Sequence, residues 1–415
     1  MSIRRRNLML GAAGATFAAS AYRRVGAQET GPIRIGLAIP LSGPMQLFGK
    51  DIRIGAELAA ELVNKAGGVM GRSIEPVFGD SKALPNDVVS AAREMISSGI
   101  RHLCGGTQTG EALALRPVVE AAGAMLFTTG ANGAPVTHEN FSKRIFRATN
   151  NDVESVTAQA RLAVEKGGDI AEWASIQYDS ASMIAAYNQF GRRTGEGATK
   201  LGRQARFQEP VMVKLGTSDF RNQIARIAAS PAEGLFVQIP GQDAITFHQQ
   251  ARAFGLASKL KMVLDRGNEV AFARAMKKGL PNNYWTLTFW QPDLFEDVPF
   301  SRDLARAYIA RTGDVPTGFL HAGSSGLLAY VAAIKAANGN SDPDVLIKLL
   351  EDGLRVPTAL GDVTYRREDH QVIAPVVYVK FIPADTEVGF KVADGVRYDG
   401  LSLLEPATPG QTYQD

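Results

Sequence analysis

Hydrophobic residues form two patterns that alternate along this 415-residue chain. Short, mostly apolar runs such as 33–39 and 234–239 have the length and composition of buried strands. Between such runs, apolar residues return every three or four positions, as Ile52, Ala56 and Val63 do, and this spacing is typical of an amphipathic helix. Alternation of this kind predicts an α/β protein whose sheets are mostly parallel and covered by helices on both faces.

The pattern predicts strands at 33–39, 74–78, 103–104, 124–127, 144–148, 172–177, 203–208, 234–239, 260–264 and 284–289. It predicts helices at 49–66, 85–96, 111–122, 152–165, 180–192, 217–229, 241–254 and 268–278. After residue 299 the rhythm changes to three helices, at 300–311, 319–337 and 343–352. Two strands follow, at 362–365 and 372–381, which alternate as an antiparallel pair would.

The first 27 residues have the composition of an export signal. Three arginines at 4–6 precede an apolar run at 8–22, and small residues at 25–27 provide a cleavage site. The run is too short to span a bilayer comfortably. We therefore predict that residues 1–27 are removed and that the mature chain begins near Gln28.

The arginine pair bears on the route of export. Arg5-Arg6 followed by Asn7-Leu8-Met9 resembles the twin-arginine export signal. Arg4 and Leu10 depart from the usual pattern of that signal. Both the twin-arginine route and the general secretory route therefore stay open.

Composition and charge exclude several function classes. The chain has 45 basic and 42 acidic residues, and the five arginines of residues 1–27 account for its net charge of +3. The rest of the chain is close to neutral, so it lacks the basic surface of a nucleic-acid binder. The single cysteine, Cys104, excludes an internal disulfide and a cysteine-clustered metal site. The five histidines form no HExxH or other close pair, and neither a GxSxG nor a GxGxxG motif follows a predicted strand. We expect no catalytic residues, no metal and no cofactor.

A set of short segments carries a resemblance to a known family. They are Pro40-Leu41-Ser42-Gly43-Pro44, Phe48-Gly49, Gly55-Ala56-Glu57-Leu58-Ala59, Asn64, Ala66-Gly67-Gly68-Val69, Gly71-Arg72, Asp80, Gly105-Gly106-Thr107, Phe127-Thr128-Thr129-Gly130, Phe146-Arg147, Ser218-Asp219-Phe220 and Gly361-Asp362-Val363. In this order they resemble the periplasmic binding proteins of the leucine/isoleucine/valine and amide class, which serve ABC importers. The resemblance covers nearly all of residues 32–383.

The resemblance implies a type I periplasmic binding protein, in which two lobes, each with a doubly wound parallel sheet, are joined by three crossovers. The crossovers then fall near 148–150, 289–292 and 355–361. Lobe one comprises 31–148 plus 292–355, lobe two comprises 149–290 plus 356–400, and 401–415 is a tail. The ligand lies in the cleft between the lobes.

Two loops are the main candidates for holding that ligand. Residues 105–109 and 128–131 each follow a predicted strand, and ligands of parallel sheets bind at this end of the strands. Backbone N–H groups and helix dipoles there attract a carboxylate, and the matching loops of the family grip the ligand carboxylate. The candidates are Thr107, Gln108, Thr128 and Thr129. The alternative is that these residues only cap helices and make turns.

Three further candidates rest on the resemblance. Phe48 matches a position where an aromatic ring covers the ligand, and the alternative is a core or hinge residue. Tyr178 matches the aromatic residue of the second lobe, although Asp179-Ser180 follows it where Tyr-Gly is more usual. Gln242 matches another loop that lines the cleft.

The loop at 265–268 determines the kind of ligand. The family's amino-acid receptors carry an acidic residue there that meets the ligand ammonium, and this chain reads Asp265-Arg266-Gly267-Asn268. An alignment on Gly267 places Arg266 at the acidic position, and a shift by one residue places Asp265 there. A guanidinium would repel an ammonium and pair with a second carboxylate instead. A third interpretation is a solvated ion pair that faces away from the cleft.

We therefore predict an exported receptor, not an enzyme, in the periplasm of a Gram-negative cell. It is expected to be a monomer that binds a small carboxylate-bearing molecule, such as an amino acid, an amide, an aromatic acid or a dicarboxylic acid, and presents it to the membrane permease of an ABC importer. A sensor of the same fold and a secreted α/β enzyme are the alternatives.

Overall fold

A computed structural model describes residues 31–414. The predicted export signal lies outside these residues. The first elements in chain order are β1 (Ile33–Ile39), α1 (Gln46–Lys65), β2 (Ile74–Asp80), α2 (Pro85–Ser97), β3 (His102–Gly105), α3 (Thr109–Ala122), β4 (Met125–Thr128) and β5 (Ile145–Arg147).

The next elements are α4 (Asp152–Lys166), β6 (Glu172–Tyr178), α5 (Ala181–Lys200), β7 (Arg206–Phe207), β8 (Val211–Val213), α6 (Arg221–Ala229), β9 (Gly234–Gln238), α7 (Gly241–Ala253), α8 (Leu256–Lys259), β10 (Met262–Asp265), α9 (Glu269–Met276) and β11 (Tyr284–Thr288). The last are α10 (Pro299–Thr312), α11 (Gly318–Ala336), α12 (Pro343–Glu351), β12 (Val356–Thr358), β13 (Gly361–Tyr365), β14 (Val372–Ile373), β15 (Val376–Pro383) and β16 (Phe390–Tyr398).

The first sheet has the order β2-β1-β3-β4-β5, and all its strand pairs are parallel. Leu37 and Phe127 belong to the core cluster under α1 and α11, while Ala38 and Leu126 belong to the cluster under α2 and α3. Both faces of the sheet are therefore covered, as the hydrophobic pattern predicts for a doubly wound parallel sheet.

Helices α1 and α11 cross at close range because each has a glycine at the crossing point. A Cβ built on Gly55 would overlap the backbone of Leu320, and one built on Gly323 would overlap the backbone of Ile52. This crossing holds α11, the helix predicted at 319–337, against α1 on one face of the first sheet.

The second sheet has the order β16-β15-β11-β10-β9-β6-β7, with β8 also paired to β6. The strand pairs β11-β10, β10-β9, β9-β6, β6-β7 and β6-β8 are parallel. Strands β15 and β16 add an antiparallel edge next to β11. One face packs on α4 and α5 through residues such as Val156 and Phe190, and the other packs on α6, α7 and α9 through residues such as Phe247. The predicted fold class, α/β with two doubly wound parallel sheets, is confirmed.

A small antiparallel sheet, β12-β13-β14, changes the expected course of the chain. Tyr365 of β13 packs against Phe127 and Phe146 of the first sheet, with ring centroids 5.4 and 5.3 Å away. The strands at 356–373 thus lie beside the first sheet and bury its aromatic side chains. The chain joins the second sheet only at Val376, later than the crossover that we predict at 355–361.

The tail returns from the second sheet to the loop between β4 and β5. Glu405 Oε1 lies 3.0 Å from His138 Nε2 and accepts a hydrogen bond of 2.7 Å from Asn151 Nδ2. The backbone N–H of Gly410 donates to the His138 carbonyl oxygen at 2.8 Å. The chain end is therefore fastened beside the first connection between the sheets.

Across residues 31–414, none of the helices is both long enough and apolar enough to cross a membrane.

Candidate ligand-binding site

Thr107 and Thr129 meet at the carboxyl ends of the neighbouring strands β3 and β4. Their Oγ1 atoms are 3.1 Å apart, and the backbone N–H of Thr129 donates to the Gly105 carbonyl oxygen at 3.0 Å. Both residues are buried, with 5% and 1% of their surface exposed. This close packing of the two loops requires glycine at position 130, because a Cβ there would lie only 2.9 Å from the Thr107 carbonyl oxygen. The structure thus brings two of the predicted site residues into direct contact.

The other two candidates of these loops differ from each other. Thr128, the last residue of β4, is fully buried, and its Oγ1 has no hydrogen-bond partner within residues 31–414. Gln108 is exposed and is the N-cap of α3, where its backbone N–H donates to Glu111 Oε2 at 2.9 Å. The capping interpretation therefore fits Gln108 better than Thr128.

Burial also affects the electrostatics at the start of α3. It raises the pKa of Glu111, while hydrogen bonds from Ser81 and from the backbone of Gln108 and Thr107 oppose the rise. A rise in this pKa favours the neutral carboxyl form. The loop is then less hostile to an incoming anion than a fully ionised Glu111 would make it.

Phe48 belongs to an aromatic cluster at the same edge. Its ring centroid is 4.4 Å from that of Phe319, which lies 5.3 Å from that of Phe289. Sequence reasoning did not count Phe289 and Phe319 among the site residues. Their positions in the sequence could have pointed to the site, since Phe289 directly follows β11 and Phe319 is the second residue of α11.

On the second sheet, Tyr178 ends β6 and is half-buried. Its hydroxyl donates to Asp243 Oδ2 at 2.8 Å, and the same oxygen accepts from the Gly216 backbone N–H at 2.8 Å. Burial, followed by the Asp243 carboxylate, raises the pKa of Tyr178. Gln242 is exposed, and its Nε2 lies 3.4 Å from Thr246 Oγ1 on its own helix. Within residues 31–414, no hydrogen bond joins Gln242 to another candidate residue.

Asp265 is fully buried and is used by its own loop. Oδ1 accepts hydrogen bonds from the backbone N–H groups of Gly267 and Asn268 at 2.8 and 2.7 Å and from Thr286 Oγ1 at 3.0 Å. Oδ2 accepts from Asn268 Nδ2 at 2.7 Å. Burial raises the pKa of Asp265, and these donors oppose that rise. In this arrangement the carboxyl group holds the turn after β10.

Arg266 points the other way and joins three elements. Nη1 donates to Gln238 Oε1 and Nη2 to Asp152 Oδ1, both at 2.8 Å. The backbone N–H of Asp152 donates to the Asn132 carbonyl oxygen at 2.9 Å, in the loop that follows Thr129. The Arg266 side chain is 16% exposed. A cation of the second sheet is thereby held next to the loop that carries Thr129.

Arg147, which sequence analysis did not single out as a site residue, shapes that loop. It is fully buried, and its guanidinium donates to the carbonyl oxygens of Asn132 and Gly133 at 2.5 and 2.8 Å. Its signal in the sequence is an arginine at the end of an otherwise apolar strand. Arg147 acts as a positioning residue because it fixes the backbone between Thr129 and Asp152.

Comparison with known proteins gives a consistent picture. The family model described as periplasmic binding protein matches residues 32–386. The Leu/Ile/Val-binding protein homolog 3 of Brucella melitensis is 26% identical over 345 residues, which cover 80% of this chain and 87% of that protein.

Two solved structures have the same fold. An amino acid ABC transporter substrate-binding protein from Pseudomonas fluorescens has a TM-score of 0.75 at 20% identity, covering 88% of this chain and 96% of that one. A solute binding protein of an ABC transporter from Rhodopseudomonas palustris, in complex with 3,4-dihydroxy benzoic acid, has a TM-score of 0.73 at 22% identity, covering 89% and 98%.

Proposed function

This chain belongs to the periplasmic binding protein family, and we propose that it is the exported substrate-binding receptor of an ABC importer. It takes a small carboxylate-bearing ligand between its two sheets and delivers it to a membrane permease. It acts as a periplasmic monomer and carries out no covalent chemistry.

The observation that carries the proposal is the pair of buried hydroxyls on Thr107 and Thr129, 3.1 Å apart at the ends of adjacent parallel strands. Hydroxyl groups and backbone N–H groups at this edge of a sheet are suited to an anionic group. A ligand carboxylate would satisfy such donors.

Arg266 refines the ligand class. Both carboxylate oxygen atoms of Asp265 already accept hydrogen bonds from neighbouring residues. The group that remains for a ligand is therefore the guanidinium of Arg266, which Gln238 and Asp152 orient. A guanidinium favours a second anionic or acceptor group over an ammonium. We therefore favour aromatic acids and dicarboxylic acids. Aliphatic amino acids and amides are the close alternative, in keeping with the Leu/Ile/Val-binding name of the Brucella relative.

The connections between the sheets suggest how the receptor works. The first two run through 148–150 and 289–292, and we place the third at 374–375, after β14, instead of 355–361. Residues 32–148 and 292–373 then form lobe one, and 149–290 with 376–400 form lobe two. Short connections of this kind permit a hinge motion, and a ligand that touches both lobes selects the closed state.

A thermal-shift screen of the mature protein tests the proposal. The panel contains leucine, isoleucine, valine, benzoate, 4-hydroxybenzoate, succinate and glutarate, and mass spectrometry of the recovered ligand tests for turnover. We expect an aromatic or dicarboxylic acid to raise the melting temperature and to be recovered unchanged. Stabilisation by the three amino acids alone would overturn the ligand class, and conversion of the ligand would overturn the receptor role.

A further inference from the structure

The chain that follows β16 contacts both of the lobes assigned above. We call residues 399–413 the tail strap. The family model matches residues 32–386, so the tail strap lies beyond the part of the chain that this model describes. It leaves the second sheet after β16, passes the start of α4 and ends in the loop between β4 and β5.

The first part of the tail strap is fixed to lobe two. Leu403 is 5% exposed and belongs to the core cluster that contains Tyr398 of β16. A Cβ on Gly400 would overlap the carbonyl oxygen of Ala374, so the strap lies directly against the third connection between the lobes. This part of the strap therefore moves with lobe two.

Glu405 joins the two lobes in the middle of the tail strap. Its Oε1 accepts a hydrogen bond of 2.7 Å from Nδ2 of Asn151, the N-cap of α4 in lobe two, and lies 3.0 Å from Nε2 of His138 in lobe one. Its carbonyl oxygen accepts from Arg366 Nη1 at 2.6 Å, in the loop between β13 and β14 of lobe one. The side chains of Glu405 and His138 are fully buried. Separating them would leave a buried carboxylate short of partners, which is unfavourable.

The last part of the tail strap is fixed to His138. Thr408 Oγ1 lies 2.6 Å from His138 Nδ1, and the backbone N–H of Gly410 donates to the His138 carbonyl oxygen at 2.8 Å. The ring centroid of Tyr413 lies 5.0 Å from that of His138. The strap thus holds both ring nitrogens and the backbone of one residue of lobe one.

The tail strap has little slack between its two attachments. Leu404 is the only residue between Leu403, which is packed on lobe two, and Glu405, which contacts lobe one. One residue of extended chain spans at most about 3.6 Å. Because the strap cannot lengthen further, a hinge rotation that separates the two attachments must break one of them.

We propose that the tail strap is a fourth link between the lobes and that it limits how far they rotate about the hinge in the absence of ligand. This proposal rests on the two-lobe hinge of the proposed function. Three short connections concentrate the motion in a few backbone dihedral angles. The strap adds side-chain contacts that must be broken before the lobes can move beyond a narrow range.

Two spin labels on the rim of the cleft measure this range in mature protein without ligand. Leu47 is the second residue of α1, after β1, and Leu215 lies two residues after β8, so they stand at the carboxyl ends of strands in different lobes. They are 71% and 80% exposed. The substitutions Leu47→Cys and Leu215→Cys accept the labels, while the native Cys104 is buried. Double electron–electron resonance then gives the distribution of label distances.

Two variants release the tail strap at different points, and each is expected to broaden the distance distribution of the parent protein. Glu405→Ala removes the carboxylate that joins the lobes. Gly410→Pro removes the N–H that bonds to His138, and proline cannot adopt the φ of 78° found at this position. Gly410 is exposed near the end of the chain, so this variant tests the strap even if circular dichroism shows that Glu405→Ala does not fold.

Glu387→Ala is the matched control, because Glu387 is exposed in the hairpin between β15 and β16, outside the tail strap. It should keep the distribution of the parent protein, and broadening by this variant equal to that of the strap variants would overturn the proposal.

Arg274→Ala distinguishes the tail strap from the hinge itself, because Arg274 of lobe two forms an ion pair with Asp314 of lobe one at 3.1 Å. A broader distribution in Arg274→Ala but in neither strap variant would overturn the strap and leave the hinge in place. The parent distribution in all of these variants would overturn both the strap and the hinged cleft.

Discussion

The carboxyl group of Glu269 accepts a hydrogen bond from the backbone N–H of Gly318 at 3.0 Å, which joins the start of α9 beside the second sheet to the start of α11 beside the first. Its other oxygen accepts from the Phe289 N–H at 3.2 Å. Gly318 permits this approach, since a Cβ there would lie 2.7 Å from Glu269 Oε1. A short distance away, Arg274 forms an ion pair with Asp314 at 3.1 Å. The two halves of the protein are thus linked by side chains as well as by the chain.

Glu269 should make stability depend on pH in a defined direction. Burial raises its pKa from 4.5 to about 8. Because the folded state holds the proton more tightly than the unfolded state, the contribution of Glu269 to stability is greatest below pH 4.5 and is lost as pH rises towards 8. We expect the free energy of unfolding to fall with pH relative to the Glu269→Gln variant, by at most about 1.4 kcal/mol per pH unit within this window.

Urea unfolding of both proteins at several pH values between 5 and 9 measures this difference. The exposed Glu94 provides the control, and Glu94→Gln should track the parent protein at every pH. Parallel curves for the parent protein and Glu269→Gln would contradict the raised pKa.

Asp265 and Arg266 should separate folding from binding. Asp265→Ala leaves the donors of Gly267, Asn268 and Thr286 without their acceptor, so we expect the free energy of unfolding to fall by about 3 kcal/mol. Arg266→Gln should fold normally and weaken a dicarboxylate about thirtyfold, which corresponds to about 2 kcal/mol. Chemical unfolding and calorimetric titration give the two quantities, with the exposed Arg93→Gln as control. Loss of leucine binding in a stably folded Asp265→Asn variant would instead assign the ammonium contact to Asp265.

The threonine pair should matter for affinity and little for folding. Thr107→Ala and Thr129→Ala each remove a hydroxyl from the edge of the first sheet, and we expect each to weaken binding of a confirmed ligand by about 1–3 kcal/mol. Calorimetric titration measures the loss, and Thr199→Ala, remote from this edge, should bind normally. Unchanged affinity in both loop variants would mean that the hydroxyls only support the turns.

Ligand binding should compact the molecule. A ligand held by both lobes stabilises the closed state, and at a thousandfold excess over Kd it adds about 4 kcal/mol to the stability. Small-angle scattering with a confirmed ligand should show a smaller radius of gyration than without it, and the Thr129→Ala variant should need more ligand for the same change. A radius that does not respond at saturation would argue against a hinged cleft.

The predicted export signal at residues 1–27 can also be tested, although these residues lie outside the described structure. Replacing Arg5 and Arg6 by lysine should leave a full-length precursor in the cytoplasm, because the twin-arginine route requires both arginines. Cell fractionation detects the precursor, and sequencing of the exported form should begin near Gln28. Lysine at Arg23 and Arg24 preserves the charge near the cleavage site and should be exported as before. Normal processing of the Arg5/Arg6 variant would assign export to the general secretory route.

The sequence predicts the central parallel strands and their helices well, because both carry strong periodic signals. Pro85 at the start of α2 is an example, since proline suits the first helical turn. The antiparallel edge is predicted less well. The segment 372–381 is divided at Pro375 into β14 and β15, which lie in different sheets. Proline lacks the N–H that a continuous ladder needs. Strand β16 gives no clear pattern because many of its side chains are partly exposed on an edge strand.

The candidate site shows the same division. Thr107 and Thr129 follow consecutive strands that pair side by side, so their proximity follows from the βα pattern. The choice between Asp265 and Arg266 does not, because neighbouring residues at the end of a strand point in opposite directions. The direction of the Asp265 side chain is fixed by a hydrogen bond from Thr286 on the neighbouring strand β11. Single-sequence reasoning has no access to such a partner.

The course of the tail determines how the molecule responds to mechanical load. The described chain begins in β1, inside the first sheet, and its other end is fastened at His138, in a loop of that same sheet. A pull on the two ends therefore acts first on the contacts of Glu405 and Gly410 with His138, while the second sheet lies outside the path of the force. Only after these contacts break does tension reach β16 and the strands behind it. In an optical trap, the first rip should be a short one that releases the tail, followed by opening of the second sheet from its antiparallel edge.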